Sequence, residues 1–175
     1  MKSWIASVGI LAMAAHAMGQ GDALPIFPKS LGKNLNGRAL SLPDDFAGRA
    51  NLVFIAFEMR QQQEVDTCKS FTQGMRQAHE WLHAYELPTI GRGYGLIRGF
   101  IDGGMRSGIP DSETRASTIT LYLDVDAFAR ALGIESTGTI TILLVKSSGE
   151  IMAHASGPYS KTAAAPLISA LDAMK

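Results

Sequence analysis

Residues 52–57, Leu-Val-Phe-Ile-Ala-Phe, form an unbroken apolar run of strand length that stops at a polar segment over 58–64. A run without polar alternation is what a strand buried on both faces requires, and such strands sit in sheets covered by helices on both sides. Behind it, Cys68, Phe71, Met75, Ala78, Leu82 and Tyr85 recur every three or four residues. That spacing predicts one amphipathic helix with these side chains on a single face. Residues 118–123 alternate as a strand does, and 139–145 form a second buried strand. Between them lies a helical segment with Phe128, Ala129, Ala131 and Leu132, capped by Asp124 or Asp126 and stopped by Gly133. Ser148-Gly149 predicts a hairpin to a strand over 150–154. Ser160 caps a last helix carrying Leu167, Ile168 and Leu171, with Pro166 disturbing its first turns. Shorter signals are a strand over 38–42 after the Asn36-Gly37 turn, a short strand over 87–90, and a glycine-weakened helix over 96–105. Strands and helices alternate and then end in a hairpin and a helix. This predicts an α/β, three-layer fold with a central mixed sheet and helices on both faces.

The chain has 175 residues, a single-domain length, and its 16 basic and 16 acidic residues cancel. No global field therefore draws it to nucleic acid or to an anionic membrane. At the N-terminus, Lys2, an apolar stretch over 4–15, and the small residues Ala15, Ala17 and Gly19 match a secretory signal. The division expected is a signal peptide over 1–19, an extended lead-in without regular structure over 20–37, and the folded domain over 38–175. Location is then periplasmic or secreted, with no stable membrane insertion after cleavage. The single cysteine, Cys68, has no partner within the chain for a disulfide.

The element order resembles the thioredoxin-like fold of peroxiredoxins and periplasmic thiol-disulfide proteins. The resemblance rests on the strand 52–57, the helix after it, the segment 126–134, the strand-turn-strand 143–151 and the C-terminal helix. Within that fold, residues 104–111 (Gly-Met-Arg-Ser-Gly-Ile-Pro-Asp), 118–124 (Thr-Ile-Thr-Leu-Tyr-Leu-Asp) and Leu143-Leu144-Val145 running on to Gly149-Glu150-Ile151 are similar to a narrower family. That family is the mitochondrial ATP-synthase assembly chaperone and its bacterial relatives. The resemblance implies a non-catalytic role in assembling a membrane-embedded complex. The N-terminus departs from the mitochondrial members, having a secretory-type signal in place of an arginine-rich transit peptide.

Redox chemistry in this fold needs two thiols about two residues apart, one of them with a depressed pKa. Where they would stand the chain has Gln61, Gln62 and Gln63. Such folds also usually place a cis-proline before the strand over 139–145, where this chain has Thr139-Ile140. A one-cysteine peroxidase would use Cys68, but Val65 stands where a threonine is required and the loop-opening proline is missing. Cys68 equally suits the first core position of the helical stripe. A zinc hydrolase is the rival from another class. His79-Glu80-Trp81-Leu82-His83 is a full H-E-x-x-H, with two imidazoles one helical turn apart and a glutamate to activate water. Glu113 or His154 is the candidate third ligand.

Arg92, Arg98, Arg106 and Arg115 crowd one loop-rich stretch with Tyr94 and Phe100 as aromatic anchors. They are either ordinary solvated charge or a docking surface on a glycine-rich loop. Gln61 and Gln62 either lead into the helix or extend that surface. The function expected is an exported, non-redox binding or assembly factor with a protein or membrane-complex client. It requires no cofactor and no nucleic acid.

Overall fold

The structure, a computed structural model, describes residues 25–174. The signal expected over 1–19 lies outside the described residues. The strands are β1 (Ser30–Asn34), β2 (Ala39–Leu42), β3 (Ala50–Ala56), β4 (Leu82–Gly91), β5 (Ile119–Leu123), β6 (Thr141–Lys146) and β7 (Ile151–Ser156). The helices are α1 (Gln62–Thr67), α2 (Lys69–Ala78), α3 (Arg98–Gly108), α4 (Ser112–Ser117), α5 (Val125–Ala131) and α6 (Lys161–Asp172). The strands form one sheet in the order β2-β1-β5-β4-β3-β6-β7. β3, β4 and β5 are parallel, and β1, β6 and β7 run antiparallel to their neighbours. The expected mixed sheet between helical layers is what the chain forms.

Each face of the sheet has its own core. On one, Val53, Ile55, Tyr85, Leu87, Leu121 and Leu143 pack against Phe128 and Ala129 of α5 and against Phe27 and Phe46. Phe27 meets Phe46 and Phe128 edge to face, with centroids 5.4 Å and 5.9 Å apart. On the other, Leu52, Phe54, Leu82, Ile142 and Leu144 meet Val65 of α1, Cys68 at the α1–α2 junction, and Leu167 and Leu171 of α6. Local signals set the ends as expected: the Asp124 and Ser160 side chains accept the backbone N–H three residues on. Gly133 and Gly149 take positive φ after α5 and in the β6–β7 hairpin.

Two expectations fail. The stripe from Cys68 to Tyr85 does not lie on one helix, because α2 ends at Ala78 and His79 is already extended. Leu82 and Tyr85 belong to β4, where they pair with Ala50 and Val53. Residues an odd number apart face opposite sides of a strand, so Leu82 enters one core and Tyr85 the other. A three-residue spacing that mimics a helix is also produced by a strand buried on both faces. Second, the lead-in contains a true strand, β1, which pairs with both β2 and β5. Its sequence, Ser-Leu-Gly-Lys-Asn, has no apolar alternation, and Gly32 is dictated by its neighbours. A Cβ there would stand 2.5 Å from Ile119 and 2.8 Å from Leu121.

Candidate functional site

The ends of β3, β4 and β5 and the start of β6 meet at one edge of the sheet, since Ile55 pairs with Thr141 and Gly91 with Leu123. Two segments leave β3 and β4 there. The first runs from Phe57 through a short 3₁₀ turn (Met59–Gln61) into α1. Gln61 is wholly buried. Its Oε1 accepts the Phe57 N–H at 2.7 Å and the Glu58 N–H at 3.3 Å, and its Nε2 donates to the Thr137 carbonyl at 2.8 Å. One turn later Glu64 accepts from the Thr139 hydroxyl and from the Ile140 N–H at 3.2 Å. The residues standing where paired cysteines and a cis-proline would face each other are thus tied together by side chain to main chain bonds. The cis peptide found among the described residues is Leu42–Pro43, at the end of β2. Gln61 is consumed inside the fold and offers nothing to a partner. Gln62 is exposed, and its amide reaches Asp66 at 3.2 Å.

Cys68 lies between α1 and α2 and is 1% exposed. Burial pushes its thiol up, and a weak contact with the Thr67 hydroxyl only partly offsets this. A thiol so placed neither ionises readily nor meets peroxide, and the structural place for Cys68 is the one observed.

The second segment leaves β4 at Gly91 as a 3₁₀ stretch (Arg92–Ile97) and continues as α3. Its apolar side chains point outward: Leu96 is 100% exposed and Phe100 84%, with Tyr94 and Ile97 more than half exposed. Arg92 lies beside them in the chain and is exposed. Arg98 is exposed too, with its Nε donating to the Gly95 carbonyl and its guanidinium 5.6 Å from the Tyr122 ring. On the inner side of α3, Ile101 and Met105 are half-buried and Asp102 accepts from the Tyr122 hydroxyl at 2.9 Å. Met59, at the start of the first segment, is also almost fully exposed.

The four arginines do not form one patch. Arg106 donates to the Leu35 carbonyl at 2.7 Å. Arg115 donates to Asn36 at 3.0 Å and to the carbonyls of Ile109 and Pro110 at 2.9 Å and 2.7 Å. Leu35 and Asn36 belong to the β1–β2 turn, at the opposite end of the sheet from Arg92. Arg106 and Arg115 therefore act as clamps on that turn.

The H-E-x-x-H motif is not helical. His79 caps α2 in extended conformation, Glu80 and Trp81 form a turn, and His83 is in β4. His79 is buried with its ring 5.0 Å from Trp81, whose other neighbour is the Arg49 guanidinium at 5.3 Å. Of the candidate third ligands, Glu113 pairs with Arg76 at 3.2 Å and His154 lies 3.2 Å from Ser156. Among the described residues no group of three His, Cys, Asp or Glu side chains could hold a metal. The zinc reading falls because the imidazole spacing needed a helix and the chain makes a turn.

Sequence reasoning missed Glu64, Thr139, Leu96 and Ile97. Glu64 has no signal without knowledge of what lies across from it. Leu96 and Ile97 carried one, since a glycine-flanked apolar pair outside any periodic stripe has no core to join.

No family model matches the chain, and no curated protein matches it. Solved structures do. The thioredoxin domain of a thiol-disulfide oxidoreductase from Bacteroides vulgatus is similar at 18% identity and TM-score 0.55, over 89% of this chain and 99% of that one. A structure described as an electron transfer protein from Aquifex aeolicus is similar at TM-score 0.59 and 8% identity, covering 88% of this chain and 99% of that one. BsSco, a member of the Sco family of cytochrome c oxidase assembly proteins, is similar at TM-score 0.52 and 12% identity, over 86% and 96%. The fold is thioredoxin-like. Among the described residues no helix is long and apolar enough to cross a membrane.

Proposed function

We propose that this chain is an exported, non-redox thioredoxin-like protein that acts as a binding or assembly factor, docking a protein client or a component of a membrane complex. The observation that carries the reading is the outward ridge of Tyr94, Leu96, Ile97 and Phe100 with Arg92, at the sheet edge where the thiol chemistry of this fold would sit. Exposed large apolar side chains grouped in one short segment, flanked by arginine, match the make-up of interface hot spots. The place of the thiols is meanwhile filled by Gln61 and Glu64, which supports binding as the use of that edge. Similarity to the assembly-chaperone family over 104–111 and 118–124, and the assembly role printed for BsSco, support the same direction. Export through a signal over 1–19 to the periplasm or medium belongs to this reading. A photo-crosslinking residue at position 96, used in native envelope, is expected to capture a defined client. Capture should be lost in Phe100→Ser and kept in Arg106→Ala. Capture that depends on Arg106 and not on Phe100 would overturn the placement.

A further inference from the structure

A groove of about 540 Å³ opens on the face of the sheet carrying α2, away from the ridge. One wall is the polar stripe of α2, Lys69, Thr72, Gln73 and Arg76, which follows helical spacing on the side away from Phe71 and Met75. The floor is Leu82, Ala84 and Glu86 of β4 with Phe54 beside them, and α4 contributes Thr114 and Ser117. Its volume lies within the range of small-molecule sites.

The polar groups of this groove are unevenly committed. Both cations on its α2 wall are engaged: Lys69 pairs with Asp66 at 2.7 Å, and Arg76 ties α2 to Glu113 of α4 at 3.2 Å. The hydroxyls have spent their protons too. Thr72 donates to the Cys68 carbonyl, Thr114 to Asp111, and Ser117 to the carbonyls of Glu113 and Thr114. What each hydroxyl has left is acceptor capacity. Glu86, half-buried in the middle of a central strand, has no cation within ion-pair distance among the described residues. Two carboxylates, Glu80 and Glu86, line the groove beside the Gln73 and Gln77 amides, and a half-buried carboxylate above an apolar floor calls for a ligand that supplies hydrogen-bond donors and positive charge. A metal ion does not suit it, because among the described residues no group of three ligating side chains converges.

We propose that this groove binds a small organic cation, an aliphatic amine whose ammonium group pairs with Glu86 while its carbon stem lies along Leu82, Ala84 and Phe54. The inference stands apart from the docking ridge and survives if that reading fails. Burial raises the Glu86 carboxyl above its usual range, and the Gln62 amide and nearby Lys69 ammonium only partly offset it. Exchange for the neutral amide is therefore compatible with the fold, so Glu86→Gln separates binding from folding.

Calorimetric titration of the full chain with cadaverine (1,5-diaminopentane) as probe decides the matter, with pentane-1,5-diol and glutarate as its uncharged and anionic counterparts. Saturable binding of the diamine is expected. Loss of one charge-assisted partner should weaken it about tenfold or more in Glu86→Gln. Phe100→Ser should bind as the parent does. No saturable heat from the parent at concentrations up to about 10 mM would overturn the proposal. So would a Glu86→Gln variant that binds equally well, or glutarate binding as tightly as the diamine.

Discussion

The two segments that emerge together at one edge of the sheet treat their side chains in opposite ways. Between Phe57 and Glu64 the polar side chains of Gln61 and Glu64 turn inward and satisfy main-chain groups. Between Arg92 and Phe100 the apolar side chains turn outward, from about half to wholly exposed among the described residues. The first segment spends hydrogen-bonding groups to close a site. The second keeps apolar area in water, a standing cost of roughly 1.5–3 kcal/mol for each large side chain left uncovered. A fold tolerates that cost where another surface removes it. Polarity alone is thus a poor guide here to which side chains turn inward.

Substitutions can break this contrast, beginning with the largest loss. Gln61→Ala leaves the partly buried Phe57 and Glu58 N–H groups and the Thr137 carbonyl without their side-chain partner, and should cost about 2–3 kcal/mol in urea unfolding. Arg115→Ala removes three charge-assisted bonds at a partly exposed place and should cost about 1–2 kcal/mol, with client capture unchanged. A capture defect at constant stability would instead return Arg115 to the docking surface.

Glu86→Gln should act in the opposite direction. Burial raises the folded-state pKa of Glu86, so its contribution is fully present below the unfolded-state value and is lost as pH rises through the folded one. The amide variant should melt about 2 °C higher at neutral pH, and the gain should vanish on acidification below the ordinary glutamate range. A gain that persists in acid would show that charge is not its source. The smallest effect on stability belongs to the ridge. Leu96→Ser with Phe100→Ser should shift unfolding by no more than about 0.5 kcal/mol, because neither side chain is covered in the free chain. A larger loss would mean the ridge packs inward.

Most of the architecture was legible because it follows from local pattern. The apolar runs at β3 and β6, the Asp124 and Ser160 caps and the Gly149 turn each carry their own physical reason. What failed depended on the far side of a contact. Tyr85 looked helical from its spacing to Leu82, and only pairing with β3 decides between helix and strand. β1 is held by its neighbours, and its own residues alternate nothing. At the site, the absence of thiols was plain from composition. The inward turn of Gln61 was hidden, since its partner Thr137 lies 76 positions on. Arg106 and Arg115 are near Arg92 in sequence, yet they reach the β1–β2 turn at the other end of the sheet, which spacing along the chain does not reveal.

The Glu64 bridge to Thr139 and Ile140 has a bearing on how such a chain can evolve. It joins a helix to the start of a strand that sits 75 positions away. Placing two cysteines at the head of α1 would leave that bridge across the gap they need. Placing a proline at 140 would delete the N–H that Glu64 accepts. Each change alone alters one side of the bridge without supplying the chemistry, so a thiol-exchange site here would need both. The bridge thus couples two positions that are far apart in sequence, and side chains outside it are free of that constraint.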